Sequence, residues 1–179
     1  MPAVLELEKN SGEAALWPLT KHKSSRLRAE ACEALGQGTA AGSMEALQKV
    51  LTKDKSPLVR GFAVLSLVRM AMDGRAQNRE DIAGFLAERY ELDASEWVNT
   101  ILLEGMIRLG DLSLFPELET RLCHPEYRIR LMAAAAMGVL PMVFPALRNE
   151  ARGLLERARP KEKHPEVRGK IDEILGRPL

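Results

Sequence analysis

Apolar side chains recur along this chain at helical spacing and are broken by short polar turns. The pattern is plainest from Ser43 to Leu67. Met44, Leu47, Val50 and Leu51 follow the i, i+3, i+6, i+7 spacing of one buried helix face. After a polar turn, Val59, Phe62, Ala63, Leu67 and Met70 are expected to point inward from a second helix. Ser56 is placed to cap that second helix. Pro57 suits its first position, because proline lacks an N–H that the first turn leaves unbonded anyway.

The same unit returns elsewhere. Shifting the chain by 32 residues lays Ser11–Arg28 over Ser43–Arg60 with nine of 18 positions identical. Further copies of the second helix begin near Ser95, His124 and His164. Taking Arg28, Arg60, Asn99, Arg130 and Arg168 as equivalent gives spacings of 32, 39, 31 and 38. In the fourth copy, alignment on His-Pro-Glu selects Arg128 instead of Arg130, so both remain open. One helix pair of about 30 residues cannot bury enough apolar area alone, whereas stacked pairs share a continuous core.

The chain therefore reads as a single domain over 1–179 with repeats at roughly 4–38, 42–72, 79–110, 112–140 and 145–177. A first helix within Val4 to Leu19 ends early or bends at Pro18, and a second spans Ser24 to Gly36. Three glycines in GQGTAAG and the polar stretch MDGRAQNRED mark turns. Repeat three places Ile82, Phe85, Leu86 and Tyr90 on its first helix and Val98, Leu102, Gly105 and Met106 on its second. Repeat four offers Phe115, Leu118 and Leu122, then Ile129, Ala133, Ala136 and Met137. Pro141 and Pro145 bracket the turn into repeat five, where Leu147, Leu154 and Leu155 precede Val167, Ile171, Ile174 and Leu175. The outer second helices are the most polar, as the ends of a stack require.

The run Pro-x-Val-Arg-x-x-Ala-x-x-x-Leu, present as PLVRGFAVLSL, resembles the second helix of a HEAT repeat (armadillo-like family). RLRAEACEALG and IRLMAAAAMG resemble it nearly as well, while Asn99 and Leu102 depart from the arginine and the alanine. The resemblance implies an all-α fold, a right-handed α-α superhelix (solenoid) of about five stacked helix pairs. It also implies a non-enzymatic protein–protein interaction module, a scaffold or adaptor. A bilin-lyase branch and a DNA-glycosylase branch of similar proteins exist, so a bilin-lyase-like enzyme stands as an alternative resting on resemblance alone.

Composition agrees with close helix packing: 46% of residues are hydrophobic and only 4% aromatic. A net charge of +1 gives no global pull toward a polyanion. Cys32 and Cys123 are too few and too far apart for a disulfide framework. The start MPAVLELEKN lacks a signal-peptide pattern, and no apolar run approaches the roughly 18 residues of a membrane span, so a cytoplasmic location is expected. His22, His124 and His164 fall in equivalent turns and should be spread along an edge, so no metal site, cofactor or catalytic group is expected.

Two surfaces are candidates. If Val98, Leu102 and Gly105 face the core, Thr100, Leu103, Glu104 and Ile107 point the other way. With Val64, Leu65, Val68, Leu131 and Ala135 they would line an apolar concave groove, the expected site for a partner protein or peptide or for a homo-oligomer. Glu33, Asp172 and Glu173 would lie toward its ends. The alternative is that these side chains pack against one another. The second surface is a basic edge of Lys21, Lys23, Lys53, Lys55, Lys161 and Lys163, a nucleic-acid alternative interrupted by Glu91, Asp93 and Glu96. The repeated arginines are expected to bridge adjoining repeats and fix their register.

Overall fold

The computed structural model describes residues 15–38, 41–74 and 79–176. Among them all regular structure is helical. The α-helices are α1 (Ser25–Leu35), α2 (Ala41–Lys53), α3 (Pro57–Met72), α4 (Arg79–Leu92), α5 (Glu96–Arg108), α6 (Phe115–Leu122), α7 (Tyr127–Val143), α8 (Arg148–Ala158) and α9 (Pro165–Gly176). Val4–Ala14 of the expected first helix lie outside the described residues. So do Thr39 and Ala40 of the glycine-rich turn, and Arg75 to Asn78 of the loop after α3. What is described of the first helix is a short 3-10 turn, Trp17–Lys21, with Pro18 at its start, where a missing N–H costs nothing.

The second helices are α1, α3, α5, α7 and α9. Proline opens α3 and α9 as their first residue. After α3 and α5 the chain reverses through Gly74 (φ 68°) and Gly110 (φ 111°), backbone positions that a side chain would strain. One expectation fails in α7. Pro141 does not mark a turn but lies buried inside the helix, which runs on to Val143. Pro141 removes only the bond its own nitrogen would make, and Phe144 N–H still reaches the Leu140 carbonyl at 2.8 Å.

Contacts divide the chain into two compact units, Met1–Gly105 and Met106–Leu179. In the first unit α3 packs on α1, α2 and α4, and its core holds Leu35, Leu47, Leu51, Leu67, Met70, Ile82 and Leu86, all fully buried. In the second unit α7 packs on α6, α8 and α9 around Phe115, Leu118, Ile129, Met137, Leu140, Leu155 and Ile171.

Within each unit neighbouring second helices approach through one repeated register. The residue eight past the equivalent arginine in one repeat meets the residue six past it in the next. A Cβ added to Gly36 would lie 2.6 Å from the Ser66 Cβ. One added to Gly105 would lie 2.7 Å from Val68 Cγ2, and one added to Gly138 would lie 2.9 Å from Ile174 Cδ1. Each of these pairs thus contains a glycine. The small partner changes sides from step to step, but the summed volume stays low enough for close packing.

Candidate functional site

The equivalent arginines hold the repeats in register. Arg28 donates to Asp54 through Nε (2.6 Å) and Nη2 (2.8 Å), and Arg60 does the same to Asp93 (2.7 and 2.8 Å). In the second unit Arg130 grips Glu162 at 2.7 and 2.9 Å, so Arg130 and not Arg128 is the equivalent residue. Each acid sits six residues before the next equivalent position. That same residue shapes its own turn, accepting the backbone N–H two residues on: Ser56 to Asp54, Ser95 to Asp93 and His164 to Glu162. Ser56 is the N-cap residue, yet its side chain makes no capping hydrogen bond, and its own N–H is taken by Asp54.

His22 and His124 occupy this turn position in repeats one and four, accepting the N–H of Ser24 and Glu126 at Nδ1, each at 3.0 Å. A further bond occurs in all five copies. Arg28, Arg60, Asn99, Arg130 and Arg168 each donate to the carbonyl six residues back, at 2.7 to 3.0 Å. Asn99 therefore belongs to the series without carrying its charge. Asp54, Asp93 and Glu162 were not identified from the sequence as the arginines' partners, and Asp93 was expected only to interrupt the basic edge; their spacing to the arginines was the signal available.

Electrostatics follow this geometry. Burial pushes the carboxyls of Asp54 and Asp93 up, but the arginine hydrogen bonds, the turn N–H and the nearby positive charge outweigh it and hold both below their ordinary value. Glu162 is lowered to about 2, chiefly by its hydrogen bond with Arg130. These pairs are structural. Their side chains face one another and leave only 13 to 17% of each arginine exposed.

The expected concave face needs correction. Val64, Val68, Thr100, Leu103 and Ile107 are buried and present no surface. Val64 and Val68 lie against Gly105 of α5, and the Thr100 hydroxyl bonds back to the Glu96 carbonyl at 2.8 Å. In the first unit α3 is covered by α2 on one side and by α5 on its flank, and in the second α7 is covered by α6 and by α9. Only a narrow stripe remains. Five residues past the equivalent arginine or asparagine, Glu33, Leu65 and Glu104 hold that position in the first unit and Ala135 and Glu173 in the second, where Leu131 is half-buried beside Ala135.

In the first unit the stripe on α3 is Leu58, Phe62 and Leu65, with Leu58 42% and Leu65 39% exposed. Phe62, expected inward, is half-buried on this stripe. Its neighbour α1 presents Arg26, Glu30 and Glu33, with Arg26 and Glu30 paired at 3.1 Å. The second unit has a similar stripe, shifted along the helix: Arg128 stands at the position of Leu58, and Val139 at that of the exposed Arg69. Met132, Ala135, Val139 and Met142 line α7, Met142 being 78% exposed, and α9 presents Glu166, Lys170 and Glu173.

All six edge lysines are exposed: Lys21, Lys23, Lys53 and Lys55 in the first unit, Lys161 and Lys163 in the second. They flank the turn residue whose side chain is turned inward. Asp93 does not interrupt the edge as expected, because Arg60 draws it into a buried pair, whereas Glu91 and Glu96 are exposed. His164 stacks on Tyr127 with ring centroids 3.6 Å apart. Among the described residues no three metal-ligating side chains gather. Cys32 is buried and its thiol is pushed up to about 12 by that burial, while Cys123 is exposed. No described helix is long and apolar enough to cross a membrane.

Comparison with protein-family models matches none of them to this chain, and comparison with the curated proteins likewise gives no match.

Proposed function

We propose that the chain is a non-enzymatic protein-interaction module, a scaffold or adaptor, whose partner protein or peptide docks on the outward stripe of the second helices. The finer architecture in this proposal is a HEAT-like right-handed solenoid, supported by the repeated arginine–acid and glycine contacts. One observation carries the functional reading. In each unit one second helix exposes an apolar stripe, Leu58 to Leu65 or Met132 to Met142, beside a neighbour whose stripe is charged. An apolar strip with a charged border has the anatomy of a docking surface, and exposed methionine adapts readily to different partners.

The test compares wild type with Leu58→Glu, Leu65→Glu and Met142→Glu in partner capture and in oligomeric state by light scattering. Loss of a specific partner or of self-association, with an unchanged melting temperature, supports the reading. Unchanged capture and oligomeric state by folded variants overturns it. Nucleic-acid binding along the edge is the second reading, favoured by the full exposure of its six lysines. It requires DNA binding that falls steeply with added salt.

A further inference from the structure

The first unit contains a groove formed by the first-helix elements, sharing no described lining residue with the second-helix stripe. It lies between the Trp17–Lys21 turn and α2 and encloses a cavity of about 430 Å³. Its floor is Trp17, Ala46 and Val50. The indole of Trp17 rests on Gly42, where an added Cβ would come within 2.5 Å of the ring, and the side chain is 40% exposed. Large aromatic side chains in an all-helical chain with so few of them normally serve the core. This one is held at the surface by a glycine placed beneath it.

The rim is basic. Lys21, Lys49 and Lys53 line the groove, and among the described residues none of the three ammonium groups takes part in an ion pair. Of the two carboxylates among the described lining residues, Asp54 is held by Arg28 and the Ser56 N–H, which leaves Glu45 as the one opposing charge among them. The lysines collect toward the C-terminal end of α2, and Glu45 stands nearer its start. From Gly42 to Lys53 the groove follows one face of α2 for about 16 Å, the length of about three helical turns.

We propose that this groove docks an acidic amphipathic helical segment of a partner protein. An apolar side chain of the segment rests on Trp17, Ala46 and Val50, and its carboxylates meet Lys21, Lys49 and Lys53. The length suits a short helix, the floor supplies apolar area and an aromatic anchor, and the unmatched positive charge selects acid. Glu45 in the wall and the Gly42 backbone against one indole face disfavour a nucleic-acid strand, which needs continuous positive charge and a free ring. The proposal rests on the reading of the chain as a partner-binding module but uses a surface separate from the second-helix stripe.

The test is selection from a displayed library of random 16-residue peptides on the full chain, followed by fluorescence anisotropy of the enriched peptides. Binding is measured to wild type and to the Lys49→Glu/Lys53→Glu, Ala46→Glu and Leu65→Glu variants, with (dT)16 as a competing probe. The lysines are exposed, so their reversal should leave the melting temperature unchanged and report on binding alone. Expected are acidic peptides with an apolar residue every three or four positions. Their affinity should fall at least tenfold in the lysine double variant and in Ala46→Glu and be unaffected in Leu65→Glu. The accompanying change in tryptophan fluorescence should vanish in Trp17→Phe. The groove is overturned by absence of enrichment, by enriched peptides without net negative charge, or by tighter binding of (dT)16. Peptides sensitive to Leu65→Glu and indifferent to the lysine variant would also remove the groove while leaving the second-helix reading standing.

Discussion

Arg60 and Asp93 meet through two parallel hydrogen bonds of 2.7 and 2.8 Å, thirty-three residues apart in sequence and on adjoining repeats. The Asp93 side chain is 1% exposed. Asp93 also accepts the Ser95 N–H, and the same guanidinium donates to the Asp54 carbonyl. One side chain thus ties two turns together, and planar bidentate geometry is what arginine supplies and lysine does not.

Truncating Arg60 removes the bidentate partner of the buried Asp93 and leaves only the weaker influence of the Arg89 charge. Arg60→Ala is expected to cost about 3 kcal/mol, in the range for breaking a buried pair from one side. Arg60→Lys should recover only part of the loss. The Arg60→Ala/Asp93→Ala double variant should be less damaged than the sum of the single changes. Urea denaturation of all four proteins checks this, and additive losses would mean that the pair is uncoupled.

Acid should loosen both units at their turns. Glu162 is lowered from an ordinary 4.5 to about 2, so the folded state binds its proton less readily than the unfolded chain. Its contribution is therefore fully present above about pH 5 and disappears as the pH falls toward 2, on the order of 3 kcal/mol in all. Asp54 and Asp93 are also lowered and act in the same direction. Plotted against pH, the urea midpoint should fall below pH 4.5 in wild type and fall less in Glu162→Gln.

Two glycines separate packing from helix propensity. A Cβ on Gly61 would lie 2.4 Å from the Trp97 ring, whereas nothing lies within 4 Å of one on Gly84. Gly84→Ala, inside α4, should stabilise by about 0.5–1 kcal/mol. Gly61→Ala, inside α3, should instead destabilise by about 1–3 kcal/mol, because overpacking outweighs the same propensity gain. Thermal melts rank the two, and a shifted Trp97 emission should accompany only the second.

The cysteines differ in access. At pH 8 a disulfide reagent should modify Cys123 quickly and spare Cys32, whose thiol is buried and raised to about 12. One thiol should titrate in native protein and two in denaturant. Cys123→Ser should abolish the native reaction.

Much of the fold is legible along the chain, since a period of 3.6 reports which residues share a helix face. Leu47, Val50, Leu51, Val59, Ala63, Leu67, Val98, Leu102, Phe115, Leu118, Ile129 and Ile171 are buried as their spacing requires. The equivalence of Asn99 with the arginines is readable from spacing as well, and its bond to the Asp93 carbonyl matches. Phe62 and Pro141 were misread. Periodicity defines a face to within about one residue of rotation, and a proline near a helix end resembles one beyond it.

The sequence by itself determined the repeat, its register, the helix pairs and the arginines at their turns, because these depend on local periodicity and on spacing along the chain. Only the tertiary structure decided that Asp54, Asp93 and Glu162 are the arginines' partners, that Leu65 is outside while Val64 is inside, and that Trp17 rests on Gly42 above a basic groove. The reason is physical. A helix pattern records that one side is apolar, but which flank the neighbouring helix covers depends on how closely the backbones approach, and here glycines at the crossings set that distance.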